Sequence, residues 1–197
     1  MPSVIVGLCG RKRSGKDTLA EELVERYGYT RVAFADPLRE MLLALDPVVE
    51  QGDYTRTLRV SDMVATRGWE DAKAHPEVRR LLQRLGTEAG RVTLGENVWI
   101  DAARRKIDAI EGPVVVTDVR FPNEADAIKD WGGYLARVVR PGYESSDDTH
   151  VSESAMDDYL TYVDVQNDGT VTELKAKAER IDGWVRSWAG VCAALGV

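Results

Sequence analysis

Several features that define whole classes of protein are scarce in this sequence. Its two cysteines, Cys9 and Cys192, cannot form a disulfide framework and lack zinc-ligand spacing, which favours a reducing cytoplasm. The apolar run at residues 2–10 lacks the charged start of a signal peptide and is too short to cross a membrane. No repeat, low-complexity tract or long linker interrupts the 197 residues. We therefore expect one α/β domain with room for a small inserted subdomain.

Basic residues are fewer than acidic residues in this chain. The chain has 26 Lys and Arg residues against 33 Asp and Glu residues, giving a net charge of -7. An acidic surface argues against broad binding to the backbone of a nucleic-acid polymer. It does not exclude a local basic pocket for a small phosphorylated ligand.

Short apolar runs alternate with amphipathic segments along the chain. Strands are predicted at residues 3–9, 29–34, 114–117, 134–139 and, more weakly, 162–166. Helices are predicted at residues 17–27, 38–45, 75–85, 96–110, 123–131 and 172–188. The stretch 46–95 contains no strong strand. This order predicts a parallel sheet flanked by helices on both faces, with a helical insertion at the carboxyl edge where ligands bind.

Residues 10–18 (GRKRSGKDT) have the spacing G-x-x-x-x-G-K, between a predicted strand and a predicted helix. The two glycines let backbone N–H groups curl around phosphate oxygens, and the helix N-terminus adds partial positive charge. Lys16 supplies a mobile cation for the β- and γ-phosphates. The predicted ATP-binding residues of this loop are Gly10, Arg13, Ser14, Gly15, Lys16, Asp17 and Thr18.

Two carboxylates are candidate Mg²⁺ ligands. Asp17 stands where such loops usually carry Ser or Thr, and the hydroxyl follows at Thr18. Asp17 either reaches Mg²⁺, directly or through water, or only caps the helix. Asp118 follows the apolar run 114–117 (VVVT), the usual position of the second acidic element in P-loop enzymes. The alternative for Asp118 is a cap on the next turn. ATP and Mg²⁺ are the expected cofactors.

Phosphoryl transfer between two polyanions requires cations on both. The candidates outside the loop are Arg39, Arg79, Arg80 and Arg120, whose planar guanidinium groups can hold a phosphate bidentately. Arg39 and Arg120 are the stronger candidates because each follows a predicted strand at the ligand-binding edge. We therefore predict that Lys16, Arg39, Asp118 and Arg120 form the catalytic set.

Six segments occur in order along nearly the whole chain: 12–18 (KRSGKDT), 79–88 (RRLLQRLGTE), 97–99 (NVW), 117–125 (TDVRFPNEA), 150–153 (HVSE) and 167–170 (NDGT). Together they resemble the phage-type deoxynucleoside monophosphate kinases of the P-loop superfamily. The resemblance implies an adenylate-kinase-like architecture. Its parts would be a core of about 1–36 and 111–197, a monophosphate-binding insertion of about 37–110, and a short lid of about 140–155.

The resemblance also implies roles for individual residues. The acceptor pocket would contain Gln83, Gly86, Thr87 and Trp99, with Arg79 or Arg80 beside them. Asp118, Arg120 and Glu124 would face the acceptor and the transferring phosphate. Arg140 would belong to the ATP site at the start of the lid, and Asn167 would border the adenine. From the residues alone, Trp99 either stacks on a base or belongs to the core, and Gln83 either reads a base edge or is solvated.

The activity that these observations predict is ATP-dependent phosphorylation of a nucleoside monophosphate, with a deoxy substrate expected. The resemblance allows a homodimer, and the expected location is the cytoplasm, that of the host cell if a phage encodes the chain. Two alternatives remain at this point. One is another small-molecule kinase, phosphomevalonate-like or dephospho-coenzyme-A-like. The other is a non-kinase NTP-binding switch, although the Asn-Lys-x-Asp guanine motif is absent from the sequence.

Overall fold

The computed structural model describes the backbone of residues 2–51, 57–142 and 155–195. Its strands are β1 (Pro2–Cys9), β2 (Thr30–Val32), β3 (Val48–Gln51), β4 (Thr57–Arg59), β5 (Gly112–Val119), β6 (Tyr134–Val139) and β7 (Val163–Gln166). Its α-helices are α1 (Lys16–Tyr27), α2 (Asp36–Leu45), α3 (Val60–Ala72), α4 (Pro76–Arg84), α5 (Val98–Asp108), α6 (Pro122–Asp130) and α7 (Val171–Leu195). A π-helix, Leu85–Val92, continues directly from α4.

Five strands form a parallel sheet in the order β2-β5-β1-β6-β7. Alternate residues of β1 show that both faces are covered. Val6 and Leu8 belong to a core that includes residues of α1 and α7. A Cβ on Gly7, which lies between them, would meet Ile128 of α6 at 3.1 Å. The predicted α/β fold, a parallel sheet flanked by helices, is confirmed.

The chain divides into two compact units. Unit 1 consists of Met1–Phe34 and Ala103–Val197, and it contains the five-stranded sheet. Unit 2 is Ala35–Ala102, and it contains α2, α3, α4, the π-helix and a separate pair of strands. Residues 143–154, most of the predicted lid, lie outside the described residues, so the lid stays a prediction.

Unit 2 has its own apolar core, which is built from Leu42, Val49, Val60, Met63, Ala72 and Val78. Residues 46–95 were expected to form helices and loops without a strong strand, and the structure adds a short antiparallel pair, β3 and β4. These strands have only four and three residues, and Val49 is the buried residue among them. Such short, exposed strands do not show the alternation by which longer strands are recognised.

None of the helices in the described residues combines the length and apolar character that a membrane crossing requires.

Candidate active site

The loop between β1 and α1 depends on two glycines. Gly10 has φ 134° and Gly15 has φ 105°, both in the region that side chains rarely adopt. Space excludes a side chain as well. A Cβ on Gly10 would collide with the carbonyl oxygen of Val138, and one on Gly15 would lie 2.7 Å from both Asn167 Nδ2 and Leu174 Cδ2. The backbone path of the loop therefore requires glycine at both positions.

Lys16 is the first residue of α1, and its ammonium group is folded back onto the loop. Its Nζ donates to the carbonyl oxygens of Gly10 at 2.6 Å and Arg11 at 2.7 Å. The cation is therefore held at the loop, where an anion could share it. The role of Lys16 toward the β- and γ-phosphates stays a prediction.

Ser14 lies at the centre of the loop and is 3% exposed. Its hydroxyl is buried and has no hydrogen-bond partner in the part of the chain that the structure describes. Its carbonyl oxygen accepts a 2.8 Å bond from Asn167 Nδ2. An unmet buried hydroxyl costs about 1–3 kcal/mol. A polar ligand in the loop would remove that cost.

A cleft of about 240 Å³ opens beside the loop within unit 1. Its lining residues are Arg13, Gly15, Asp17, Thr18, Arg140, Asn167, Gly169, Val171 and Leu174. Six of these nine were predicted as ATP-binding residues, although they come from three separate parts of the sequence. Gly169, Val171 and Leu174 were not predicted from the sequence. Gly169 lies in the 167–170 segment and could have been noticed, whereas the two apolar residues only continue the helical pattern of α7.

The rim of this cleft carries two charges fixed by hydrogen bonds. Glu173 accepts bonds from the Thr170 backbone N–H at 2.6 Å and its hydroxyl at 3.0 Å, and the first lowers the pKa of the Glu173 carboxyl most. A hydrogen bond from Lys177 lowers the pKa of Asp168 in the same way. Both carboxyls are therefore ionised at neutral pH, and that of Glu173 caps the start of α7.

Asp118 lies near the end of β5, next to β1 in the sheet. The register pairs Val119 with Cys9, the residue directly before the loop, so Asp118 and the loop share one sheet edge. One carboxylate oxygen of Asp118 accepts a 2.7 Å bond from the Phe34 backbone N–H. Within the described ranges, no cluster of three His, Cys, Asp or Glu side chains is arranged as a metal site. Asp17 is exposed at the loop.

Arg120 follows β5 and is exposed. Its backbone N–H donates to Glu124 Oε2 at 2.8 Å, and the Phe121 N–H donates to the same oxygen at 3.1 Å. Glu124 is 3% exposed. Through these two hydrogen bonds its carboxylate caps the start of α6. The structure places this carboxylate against the backbone that carries Arg120, and its contact with the acceptor stays a prediction.

Unit 2 holds the remaining predicted residues. Arg39 is half-buried on α2, with Nη1 3.5 Å from Asp36 Oδ1 and its guanidinium carbon 5.9 Å from the Trp69 ring centroid. Arg80 binds Glu77 through two hydrogen bonds of 2.5 and 2.8 Å, and this contact lowers the pKa of Glu77. The side chains of Arg79, Gln83 and Thr87 are exposed.

Trp99 is 5% exposed. Its indole N–H donates to the carbonyl oxygen of Gly86 at 2.9 Å, which brings together two predicted pocket residues. A Cβ on Gly90 would lie 2.5–2.8 Å from the indole ring, so the ring rests on this glycine. This position suits the core interpretation of Trp99, and stacking on a base stays a prediction.

A glycine loop joins the central parallel strand to a helix, a lysine lies over the loop, and a carboxylate follows a neighbouring strand at the same sheet edge. This arrangement is that of the P-loop nucleotide-binding proteins. Comparison with known proteins then indicates the family within this class. The family model for deoxynucleotide monophosphate kinases matches residues 69–178.

Individual relatives agree. A putative deoxynucleotide monophosphate kinase of Acanthamoeba polyphaga mimivirus is 34% identical, covering 86% of this chain and 91% of the relative. The deoxynucleoside-5'-monophosphate kinase of Escherichia phage T5 is 26% identical, covering 88% and 93%. The enzyme of Enterobacteria phage T4 is 33% identical, covering 72% and 58%.

The chain therefore belongs to the deoxynucleotide monophosphate kinase family. It is a nucleoside monophosphate kinase with ATP as the phosphate donor. The family resemblance and the predicted ATP-dependent phosphorylation of a nucleoside monophosphate are confirmed. The other small-molecule kinases and the NTP-binding switch receive no support.

Proposed function

We propose that this enzyme transfers the γ-phosphoryl group of Mg²⁺-bound ATP to the phosphate of a deoxynucleoside monophosphate, using the residues assigned below. The observation that carries the proposal is the buried, unpartnered hydroxyl of Ser14 inside a loop that also holds the Lys16 ammonium. A buried polar atom without a hydrogen-bond partner is costly, and an anion bound in the loop would accept a hydrogen bond from this hydroxyl.

The donor site lies within unit 1. We assign the ATP phosphates to the backbone N–H groups of residues 10–18 and to Lys16. The base is assigned to the cleft beside the loop, where Val171 and Leu174 offer apolar surface and Asn167 and Arg140 offer hydrogen-bond donors. Arg140 already reaches the loop, with Nη1 3.5 Å from the Arg13 carbonyl oxygen.

Asp17 and Asp118 are the proposed Mg²⁺ ligands. Carboxylate oxygens are hard ligands of the kind that Mg²⁺ prefers, and one or two carboxylates together with substrate phosphates commonly hold this ion. When bound, Mg²⁺ neutralises charge on the phosphates. The Phe34 N–H orients Asp118, and Asp17 lies at the mouth of the loop on α1.

We assign the acceptor phosphate to Arg39 and Arg120, assisted by Arg79 or Arg80. Recognition of the nucleoside is assigned to Gln83, Gly86, Thr87 and Trp99, of which Trp99 is buried and donates to the carbonyl oxygen of Gly86. Glu124 acts through the backbone of residues 120–121, because its carboxylate is bonded to both of their N–H groups.

The chemical step is an in-line displacement. An oxygen of the acceptor phosphate forms a bond to the γ-phosphorus while the bond to the β–γ bridging oxygen breaks, and ADP leaves with that electron pair. The acceptor phosphate is already anionic, so no general base is required. Lys16, Arg39 and Arg120 stabilise the charge that spreads over the transferring group, and alignment supplies the rest of the acceleration.

An ADP-release assay tests this function. ATP is held constant while the four common deoxynucleoside monophosphates and their four ribose counterparts are offered one at a time. We expect turnover that depends on the monophosphate and is faster with the deoxy compounds. ADP formation at the same rate without any acceptor would contradict the proposal, as would turnover with ribonucleotides alone.

Two further assignments rest on the family resemblance. We propose that the enzyme acts in the cytoplasm, that of the host cell if a virus encodes it, and that it forms a homodimer. Light scattering coupled to size-exclusion chromatography measures the mass in solution. A monomeric mass across the working concentration range would contradict the dimer.

A further inference from the structure

The π-helix in unit 2 is an unusual element that needs an explanation. It follows α4 without a break and covers the segment LGTEAGRV, which includes the predicted acceptor residues Gly86 and Thr87. A π-turn is rare because it interrupts the regular α-helical hydrogen-bond ladder. Such a conformation persists where contacts from other elements over-determine it.

Trp99 supplies those contacts from α5. Its indole N–H donates at 2.9 Å to the carbonyl oxygen of Gly86, the second residue of the π-helix. Its ring meets Gly90, where a Cβ would lie 2.5, 2.7 and 2.8 Å from Cζ2, Cε2 and Nε1. One side chain therefore contacts the π-helix at both residue 86 and residue 90.

The environment of Trp99 leaves little of it for a ligand. The residue is 5% exposed, and its single donor already bonds to Gly86. Gly90 is itself buried, so the part of the ring that it covers is closed to a base. These observations favour an indirect role over direct stacking.

We propose that Trp99 is a positioning residue for the acceptor nucleotide. It locks residues 85–92 in the π-helical register, and this register presents Gly86 and the exposed Thr87 to the monophosphate. The indole N–H fixes the carbonyl of Gly86, and the missing side chain at Gly90 makes room for the ring. The inference rests on the proposed assignment of residues 86–87 to the acceptor.

The first test replaces Trp99 by Phe, which keeps an aromatic ring and removes the N–H donor. We expect the KM for the deoxynucleoside monophosphate to rise about five- to tenfold, the scale of one lost hydrogen bond. The KM for ATP should change less than twofold. Trp184→Phe is the matched control, because Trp184 is a partly buried tryptophan packed on the core of unit 1. It should leave both constants unchanged.

The second test uses Gly90. Gly90→Ala pushes a methyl group into the indole, and we expect the same selective rise in the monophosphate KM. Removing the indole in a Trp99→Leu background removes the collision. Adding Gly90→Ala to Trp99→Leu should therefore cause less than a twofold further change. If the double variant instead raises the monophosphate KM by the product of the two single effects, the two residues act independently and the proposal is overturned.

Hydrogen exchange gives a readout that does not depend on activity. Backbone amides of residues 85–92 should exchange at least tenfold faster in Trp99→Phe than in the parent, with the sheet of unit 1 unchanged. Unaltered exchange there, or a Trp99→Phe enzyme with parental kinetics, would overturn the positioning role. Both results can occur while the parent enzyme still shows monophosphate-dependent turnover, so they are distinct from a failure of the proposed function.

Discussion

Asn167 offers the sharpest test of how the donor site is built. It follows β7 and ties the phosphate loop to the far edge of the sheet. Its backbone N–H donates to the carbonyl oxygen of Val139 at 2.6 Å, and its Nδ2 donates to that of Ser14 at 2.8 Å. Asn167→Ala keeps the first bond and removes the second.

The expected loss follows from that single bond. A neutral hydrogen bond contributes about 0.5–1.5 kcal/mol, which corresponds to roughly a two- to twelvefold change in an equilibrium constant. We therefore expect the KM for ATP to rise about three- to tenfold. Asn167→Asp should be worse, because it sets a carboxylate against the Ser14 carbonyl and adds negative charge to a site for a polyanion. The KM for the monophosphate should stay within twofold.

Initial rates of ADP release give the KM for ATP and the KM for the monophosphate. Each KM is measured by varying its own substrate while the other substrate is saturating. KM equals the dissociation constant only when chemistry is slow relative to dissociation, so calorimetric titration with ADP should accompany the kinetics. Gln166→Ala is the matched control, since this neighbouring amide side chain is exposed. An unchanged KM for ATP in Asn167→Ala, or an equal rise of this KM in Gln166→Ala, would refute the reasoning.

Three other changes test separate parts of unit 1. Lys16→Ala should cut turnover by about 10²-fold or more while the melting temperature stays within a few degrees, and near-parental turnover would exclude the phosphate-loop assignment. Asp17→Asn should raise the Mg²⁺ concentration for half-maximal rate more than it raises the monophosphate KM; an unchanged Mg²⁺ titration would reduce Asp17 to a helix cap. Arg137→Met removes hydrogen bonds to three carbonyl oxygens in residues 156–159, so calorimetry should show about 2–4 kcal/mol less stability. The exposed Arg105→Met is its control, and equal melting of the two variants would contradict this estimate.

Structural features that depend on residues close together in the sequence were predictable. The glycine spacing of the phosphate loop and the valine-rich run of β5 each carry their own signal, and the structure has β5 at Gly112–Val119 around the predicted 114–117. The parallel sheet followed from the alternation of strands and helices. These inferences needed no knowledge of distant contacts, which is why they succeeded.

Features that depend on distant contacts were not predictable. The π-helix continues α4 in a segment with two glycines that carries no local signal for this conformation, and its register is set by Trp99, which lies outside it. The apolar lining of the cleft at Val171 and Leu174 exists only because α7 starts beside the phosphate loop. The hydrogen bonds by which the buried Glu124 carboxylate caps α6 were also not foreseen from the sequence, and its contact with the acceptor stays a prediction.

The order of the strands separates the two groups of residues that we propose for donor recognition and for phosphoryl transfer. β1, which leads into the phosphate loop, has β5 on one side and β6 followed by β7 on the other. Arg140 and Asn167 follow β6 and β7 and line the cleft proposed for the base of ATP. Asp118 and Arg120 lie at the end of β5, on the side proposed for phosphoryl transfer. Because parallel strands end at one edge, this order puts the cleft proposed for donor recognition on one side of β1 and the residues proposed for transfer on the other. Variants on the β6–β7 flank should therefore alter the ATP constants, and variants on the β5 flank should alter turnover.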